Sequence, residues 1–389
     1  MNKINSLYSS FLNKLKIDDS YRSLADLDIT NVRDVHFQNK KYINLSSNDY
    51  LGLRKNNSLI SSSSFWLKKY GTGLGSSRLL VGNISAISRI EKKIALWKKF
   101  DSALIMNSGF QANVGVLSSL FDRKVLGSEP LVFADKMVHA STHYGCSVAR
   151  IKQIRFFHND MNHLEFLLEK YSSSERCKFI LVESVYSMCG DTSPMDKLYE
   201  LRNKFNAFLI VDEAHSTGIL GQFGSGIAEK ADLVIGTFGK AMGGYGSYVA
   251  CSNELREYLI NKCGAFIYTT SLPPSVLGSI DASLDIVPKM DKEREFVKKL
   301  SIFFREKIKE EGFYYTDSNT HIIPLVIGNL ANGKKLVELL RRSGIWVKLI
   351  LPPTVPKEKI CLRFSLCTFH NFDDINFIFD VLKYINKKS

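Results

Sequence analysis

Long apolar runs, paired cysteines and a leader-like start are all missing from this 389-residue chain. No window approaches the roughly 18 consecutive apolar residues of a membrane-spanning helix, so no membrane association is expected. The opening segment MNKINSLYSSFLNKLKIDDS has neither the apolar block nor the small-residue cleavage site of a secretory signal. The seven cysteines include no C-x-x-C pair, which indicates reduced thiols. These absences predict a cytoplasmic protein without a metal site.

Nucleotide-binding and zinc signatures are missing as well. The segment GTGLGSS places Ser76 where the third glycine of G-x-G-x-x-G belongs. Lys240 is followed by Ala241 and not by the serine or threonine of a P-loop. His139 and His143 are four residues apart, but HASTH lacks the glutamate of the zinc motif H-E-x-x-H. The sequence therefore predicts neither a dinucleotide nor a zinc enzyme.

Positive charge is abundant but scattered along the chain. Lysine and arginine total 52 against 39 acidic residues, which gives a formal net charge of +13. The lysines form short pairs among many asparagines and no single basic tract, so nucleic-acid binding is not expected. A basic surface would suit an acidic substrate carrier.

Short apolar segments and helical patterns alternate through the first two thirds of the chain. Ile87, Ile90, Ile94 and Trp97 recur every three or four residues, which predicts a helix. Strands that alternate with helices predict an α/β domain around a large, mostly parallel sheet. The segments typical of buried strands are SALIMNSGF, LVFADK, KFILVES, AFLIVDEAH, LVIGTFG and GSYVACS.

The sequence pattern changes after about residue 275. The polar segment KMDKEREFVKKLSIFFREKIKEEG predicts a long connecting helix. Beyond it, the strand-like HIIPLVIG, IWVKLIL and ICLRFSLC and the helical GKKLVELLRRSG and FDDINFIFDVLKYI predict a compact α+β unit. We therefore expect an N-terminal arm over 1–45, a large cofactor-binding domain over 46–285 and a small α+β domain over 286–389.

Chemically useful residues follow the predicted strands, where open α/β sheets bind ligands. Asp212 follows AFLIV, and Lys240 follows LVIGTFG among several glycines. Pyridoxal 5'-phosphate (PLP) requires a lysine for its Schiff base and a carboxylate against its ring nitrogen. The separation of 28 positions between Asp212 and Lys240 leaves room for one helix and one strand, which would bring both groups to the same sheet edge. The pair predicts a PLP site.

Other strand-end residues complete this predicted site. Gly109 and Phe110 open a helix after SALIMNS, where backbone N–H groups can hold a phosphate, and Thr237 can add its hydroxyl. His139 is expected to stack on the cofactor ring. His215 and Ser187 are expected to bond to its phenolic oxygen.

Eight segments of the chain, in order, resemble the α-oxoamine synthases, a family of PLP enzymes with the aspartate-aminotransferase fold (fold type I). The resemblance implies a homodimer with active sites at the subunit interface, in which Thr270 reaches the partner's phosphate. It also implies that His139 is catalytic beside Lys240 and Asp212. The segments are SSNDYLGL (46–53), NSGFQANVGVL (107–117), DKMVHAST (135–142), ESVYSMCGD (183–191), VDEAHSTGILG (211–221), TFGKAMGGYGSYVACS (237–252), IYTTSLPP (267–274) and PPTVPKEKICLRFSL (352–366).

The branch that this chain most resembles condenses L-alanine with a pimeloyl thioester in biotin biosynthesis. That resemblance implies acyl contacts by Arg22, which stands 24 residues before Ser46, and by Thr354. It implies that Arg363 binds the amino-acid carboxylate, a task that suits a guanidinium. Asn48 and His139 are further expected substrate contacts. The carrier, coenzyme A or an acyl carrier protein, stays open, as does a branch that condenses glycine with an acetyl thioester.

Overall fold

The structure is a computed structural model that describes residues 2–18, 20–29, 31–352 and 354–386. Residues 1, 19 and 30 of the predicted arm lie outside the described residues. So do Pro353, within the segment PPTVP, and 387–389 at the end of the predicted small domain.

A helix and a hairpin precede the large sheet. They are α1 (Lys3–Ile17), β1 (Asp34–Phe37) and β2 (Lys40–Asn44). The side chain of Asn2 caps α1 by accepting a hydrogen bond from the N–H of Ile4. Gln38 and Asn39 both have positive φ, so a two-residue turn joins β1 to β2 with the twist that antiparallel strands need.

The helices that flank the large sheet follow from amphipathic segments. In α3, Ile87, Ile90 and Ile94 are buried and Trp97 is half-buried, as the spacing predicts. These helices are α2 (Asn57–Tyr70), α3 (Ser85–Lys98), α4 (Gly109–Leu120), α5 (Arg123–Leu126), α6 (Ala140–Val148), α7 (Met161–Lys170), α8 (Met195–Lys204), α9 (Asn253–Lys262), α10 (Gly264–Ile267) and α11 (Pro274–Ile286).

The large sheet has seven strands in the order β3-β9-β8-β7-β6-β4-β5. β9 runs antiparallel to both of its neighbours, and the other pairings are parallel, which confirms the mostly parallel sheet predicted from the sequence. β5 is a strand that the sequence analysis missed. The strands are β3 (Ser102–Met106), β4 (Leu131–Asp135), β5 (Gln153–Phe156), β6 (Lys178–Glu183), β7 (Ala207–Asp212), β8 (Leu233–Thr237) and β9 (Ser247–Cys251).

Four parallel strands deliver polar residues to one edge of this sheet. β4, β6, β7 and β8 end at Asp135, Glu183, Asp212 and Thr237 respectively. Glu183 and Asp212 are register partners on adjacent strands. Since parallel strands share one carboxyl edge, these residues lie along the same edge of the sheet.

A second unit follows the long helix α12 (Asp291–Glu310), and it includes the N-terminal hairpin. Its antiparallel sheet has the order β10-β13-β12, while β11 pairs in parallel with β2. The segment IWVKLIL thus forms two short strands and not one. The division at residues 45 and 285 stays a prediction. The elements are β10 (Ile322–Val326), α13 (Leu330–Arg342), β11 (Ile345–Trp346), β12 (Lys348–Ile350), β13 (Cys361–Ser365) and α14 (Phe372–Asn386).

Within the described part of the chain, short 3₁₀ turns occupy four connections: Leu53–Lys55, Gln222–Gly224, Val287–Lys289 and Lys357–Lys359. None of the helices in the described ranges combines the length and the apolar composition needed to cross a membrane.

Candidate active site

Lys240 lies at the end of a buried chain of hydrogen bonds. Its Nζ is 2.7 Å from Nε2 of His215, and Nδ1 of His215 is 2.7 Å from the hydroxyl of Tyr50. The Tyr50 hydroxyl also donates to Oδ1 of Asn48 at 3.1 Å. Because Tyr50 and His215 are both buried, these bonds hold the lysine in one place.

Burial decides the protonation of this lysine. It lowers the pKa of Lys240 from 10.5 to about 8, against the attraction of Asp212 and Glu183. Burial also lowers the pKa of His215 well below its ordinary value, and the charge of Lys240 lowers it further. A neutral imidazole therefore faces an amine that can release its proton near neutral pH.

Asp212 and His139 are joined through two residues that the sequence analysis did not single out. The amide nitrogen of Asn113 donates to Oδ2 of Asp212 at 2.7 Å and to the hydroxyl of Ser141 at 3.0 Å. That hydroxyl is 2.7 Å from Nδ1 of His139, and the N–H of Ser141 donates to the same Nδ1 at 3.3 Å. Nδ1 is therefore an acceptor, and His139 carries its proton on Nε2.

His139 caps the N-terminus of α6. Its side chain is partly open to solvent, and burial by its surroundings lowers its pKa below the ordinary value. Asp212 opposes this effect, while Lys240 and His143 add to it. The lowered pKa favours the neutral imidazole, so His139 can donate one hydrogen bond from Nε2.

Glu183 contributes a second carboxyl group beside Asp212. Its side chain is buried, its Oε2 accepts a long hydrogen bond from the N–H of Ser187, and the backbone of His139 also interacts with the carboxyl group. Burial, reinforced by the charge of Asp212, raises the pKa of Glu183 well above its ordinary value. Burial therefore favours the protonated form of Glu183.

The start of α4 offers a place for a phosphate. Ser108 caps the helix by accepting from the N–H of Gln111, which leaves the N–H groups of Gly109 and Phe110 without partners inside the helix. A Cβ built on Gly109 would lie 3.9 Å from Cβ of Thr237, so the two residues face each other. The Thr237 hydroxyl donates to the carbonyl of Gly246 and accepts from the N–H of Gly239.

Arg363 brings positive charge to the site from the other side. Its Nε donates to the carbonyl of Ser187 at 2.7 Å, and its Nη1 donates to the hydroxyl of Ser365 at 2.6 Å and to Oδ1 of Asn48 at 3.4 Å. The side chain is buried and has no carboxylate partner among the described residues. An anionic ligand would provide the missing countercharge.

Three of the predicted contacts lie outside these networks. Arg22, Thr354 and Thr270 are exposed. Tyr21 and Leu351 line one surface groove, so the segments that carry Arg22 and Thr354 approach each other. The carbonyl of Thr270 accepts from Nδ2 of Asn107 at 2.9 Å, close to the start of α4. Their roles stay predictions.

A buried ion pair supports the turn after Asp212. Lys98 and Glu213 are both buried and form a short hydrogen-bonded pair, and Glu213 also accepts from the N–H groups of Ile227 and Ala228. Gly226 has a φ of +94°, and a Cβ there would lie 2.3 Å from the Glu213 carboxylate. Only glycine therefore fits this position.

A second charged cluster lies beside the Ser187 loop. His158 bonds to Asp135 at 3.0 Å and to Asp191 at 2.9 Å, and the sulfur of Cys189 is nearby. These hydrogen bonds outweigh the effect of burial and raise the pKa of His158 to about 12. His158 thereby links the end of β4 to the loop as an imidazolium that donates from both ring nitrogens.

The residues missed at the sequence level share one property. Tyr50, Asn113, Glu183 and His321 act through neighbours far away in the chain. His321 packs edge-on against the Tyr50 ring at 4.0 Å, and burial lowers its pKa to about 3. All four stand inside segments quoted above, but each acts with a partner 29 to 271 residues away, so spacing along the chain gives no signal.

The arrangement fits PLP. Lys240 supplies an amine with a lowered pKa, Asp212 an oriented carboxylate, and the start of α4 an anion-binding turn. A family model described as aminotransferase class I and II matches residues 40–374. The chain belongs to the aminotransferase class I and II family. The family assignment and the PLP-enzyme fold predicted from the sequence are thereby confirmed.

Relatives within this family place the chain more narrowly. A Paramagnetospirillum magneticum protein, provisionally named 8-amino-7-oxononanoate synthase, is 41% identical over 94% of this chain and 94% of its own. A solved 8-amino-7-oxononanoate synthase from Francisella tularensis has 28% identity and a TM-score of 0.76, and the match covers 89% of this chain and 99% of that one. A serine palmitoyltransferase structure with PLP has 25% identity and a TM-score of 0.91, over 100% and 99%. This chain is a PLP-dependent acyltransferase.

Proposed function

We propose that the protein condenses L-alanine with a pimeloyl thioester. The products would be 8-amino-7-oxononanoate, carbon dioxide and the free thiol carrier, as part of biotin biosynthesis. The relatives named for this reaction support the proposal, since they match nearly the whole chain at about 40% identity.

The observation that carries the proposal is the position of Arg363. Its buried guanidinium lacks a carboxylate partner among the described residues and adds to the lowering of the Lys240 pKa, so the two cations are close. An amino-acid carboxylate on Arg363 would place its Cα near Lys240. A guanidinium that bonds a carboxylate through two N–H groups also fixes the orientation of the amino acid.

The residues have separable tasks in this reaction. Bound PLP supplies an electron sink that stabilises negative charge at the amino-acid Cα. Lys240 would hold the cofactor at rest and, once released, take the proton from Cα, which its pKa near 8 permits. Asp212, oriented by Asn113, would face the ring nitrogen. His139, with its proton on Nε2, would donate a hydrogen bond to the carbonyl oxygen of the acyl group.

The acyl end of the substrate is assigned to the other side of the site. We propose that Arg22 and Thr354 contact the pimeloyl chain, supported by the approach of their two segments. The net charge of +13 suits an acidic carrier, either coenzyme A or an acyl carrier protein. The resemblance described above implies an arginine just before PPTVP, where this chain has Leu351.

We further propose that the protein acts as a homodimer with its sites at the interface. Aromatic side chains next to the start of α4 are unusually exposed: 50% for Phe110, 58% for Tyr144 and 87% for Tyr268. Phe110 and Tyr144 pack together at 5.6 Å. An exposed aromatic patch of this kind is typical of protein–protein contacts. A second copy would cover it and bring Thr270 to the neighbouring phosphate.

Product identification tests the proposed substrates. The holoenzyme is incubated with L-alanine and pimeloyl-coenzyme A, or with pimeloyl acyl carrier protein, and the product mass is measured. We expect the mass of 8-amino-7-oxononanoate from at least one carrier. Lys240→Ala should abolish both turnover and the absorption band of the attached cofactor, while Arg22→Ala should weaken thioester use more than alanine use.

Two sister reactions are the alternatives. The serine palmitoyltransferase structure has the higher TM-score, which favours testing serine with a long-chain acyl thioester. Glycine with an acetyl thioester is the second alternative. A product from either pair, and none from alanine with a pimeloyl thioester, would refute the proposed substrates while leaving Lys240 and Asp212 in their roles.

A further inference from the structure

We propose that Tyr50 is a positioning residue that keeps the proton of His215 on Nδ1, so that Nε2 accepts a hydrogen bond from Lys240. The inference deepens the proposed function and rests on the PLP chemistry of the family, but not on the identity of the amino acid or the thioester. It follows from donor and acceptor counting along one buried chain of hydrogen bonds.

The first step is the orientation of the Asn48 amide. A guanidinium can only donate, so the atom of Asn48 that lies 3.4 Å from Nη1 of Arg363 must be the carbonyl oxygen. The Tyr50 hydroxyl lies 3.1 Å from that same oxygen. Since an amide oxygen can only accept, Tyr50 uses its single proton for this bond.

The second step concerns His215. The Tyr50 oxygen is 2.7 Å from Nδ1 of His215, and its proton is already committed to Asn48. The imidazole must therefore donate from Nδ1. A neutral histidine has one ring proton, so Nε2 keeps its lone pair. Burial and the nearby charge of Lys240 lower the His215 pKa well below its ordinary value, which excludes the doubly protonated ring.

The third step reaches Lys240. Its Nζ is 2.7 Å from Nε2 of His215, and in its protonated form it can only donate to that atom. Each group thus donates to the next, from Lys240 through His215 and Tyr50 to Asn48. The two cations also only donate: Lys240 donates to His215, and Arg363 donates to Asn48.

This order leaves the Lys240 lone pair free. When the amine is neutral, one N–H bonds to Nε2 of His215 and the lone pair can point towards a reacting carbon. With the opposite tautomer, His215 would donate from Nε2 into that lone pair and occupy it. Tyr50 thereby protects both tasks of the lysine, attachment of the cofactor and removal of a proton.

Several charged groups face this pair and would shape its titration. His215 is close to Lys240, Arg363, His321 and His139. Lys240 also faces Asp212 and Glu183. Tyr50 itself is buried, and its pKa is raised by burial, so its hydroxyl stays protonated across the working range.

Nitrogen-15 NMR of the histidine rings tests the tautomer directly. The full-length chain without PLP is labelled at its eight histidines, and the His215 signal is identified by its loss in His215→Asn. We expect a protonated Nδ1 and a bare Nε2. At pH 10, where the Lys240 amine is neutral and can accept as well as donate, the proton should move to Nε2 in Tyr50→Phe, which keeps the ring packed against His321.

Asn48→Leu provides a second route to the same change. It removes the acceptor of the Tyr50 proton, and the hydroxyl should then turn towards Nδ1 of His215 and move the imidazole proton to Nε2. Both variants should slow the capture of added PLP by about tenfold, because a hydrogen bond from His215 would then occupy the lone pair of Lys240. The pH profile of PLP capture should also move to lower pH. Tyr248→Phe is the control, since Tyr248 is an equally buried tyrosine bonded to Thr217.

A His215 protonated on Nε2 in the native chain would overturn the proposal. So would an unchanged tautomer in both Tyr50→Phe and Asn48→Leu, or an equal slowing in Tyr248→Phe. Neither readout uses alanine or a thioester. If the substrate tests fail while the tautomer moves as expected, only the proposed function is wrong.

Discussion

Lys240 should destabilise the cofactor-free protein, and replacing it should be stabilising at neutral pH. A pKa lowered from 10.5 to about 8 means that the folded state disfavours the ammonium by about 3 kcal/mol, at about 1.4 kcal/mol per pKa unit. Lys240→Met removes this penalty but also removes the hydrogen bond to His215, which offsets about 1 kcal/mol. We expect a net gain of about 2 kcal/mol at pH 7.

The stability difference between the native protein and Lys240→Met should depend on pH in a defined direction. Below pH 8 both states carry the charge and the penalty is fully present. Between pH 8 and 10.5 the unfolded chain binds more protons, so the native protein gains stability as pH rises, while Lys240→Met does not. The advantage of the variant should therefore shrink over that range.

Urea denaturation of the full-length, PLP-free protein at pH 7 and pH 10 measures both effects. Lys152→Met, at an exposed lysine, is the matched control and should change stability by less than about 0.5 kcal/mol at either pH. A Lys240→Met variant less stable than native at pH 7, or a difference that does not vary with pH, would show that burial does not strain this lysine.

Three further predictions follow from the same contacts. Asp212→Asn should still bind PLP, which the absorption band of the cofactor would show. Its turnover should be at least a hundredfold slower, because the ring nitrogen loses its carboxylate. Near-native turnover would contradict this role. Arg363→Lys should raise the KM for the amino acid about tenfold or more in steady-state kinetics, since an ammonium cannot form the bidentate hydrogen bonds of a guanidinium with a carboxylate. An unchanged KM would show that the carboxylate binds elsewhere. Lys98→Met should destabilise the protein by about 3–5 kcal/mol in urea denaturation, because Glu213 would stay buried without its cation. A loss below about 1 kcal/mol would contradict this dependence on the cation.

Much of the fold could be predicted from local sequence patterns. Six of the seven strands of the large sheet stand out as apolar segments ended by Asp, Ser or Gly, because a strand buried on both faces needs such a composition. β5 was missed because only Phe156 of its four residues, Gln153–Phe156, is fully buried and two of the others carry polar side chains. The segment IWVKLIL was predicted as one strand because its apolar run hides the change of partner, from β2 at Trp346 to β13 at Lys348.

By itself, the sequence determined the family, the PLP cofactor and the positions of Lys240 and Asp212. These groups follow buried strands directly, and parallel strands place their ends at one edge, so order along the chain was enough. Only the tertiary structure decided how Asp212 and His215 are oriented and how far the pKa of Lys240 is lowered. The bonds from Asn113 to Asp212 and from Tyr50 to His215 span 99 and 165 residues, and burial, which sets the Lys240 pKa, exists only once the chain has closed around it.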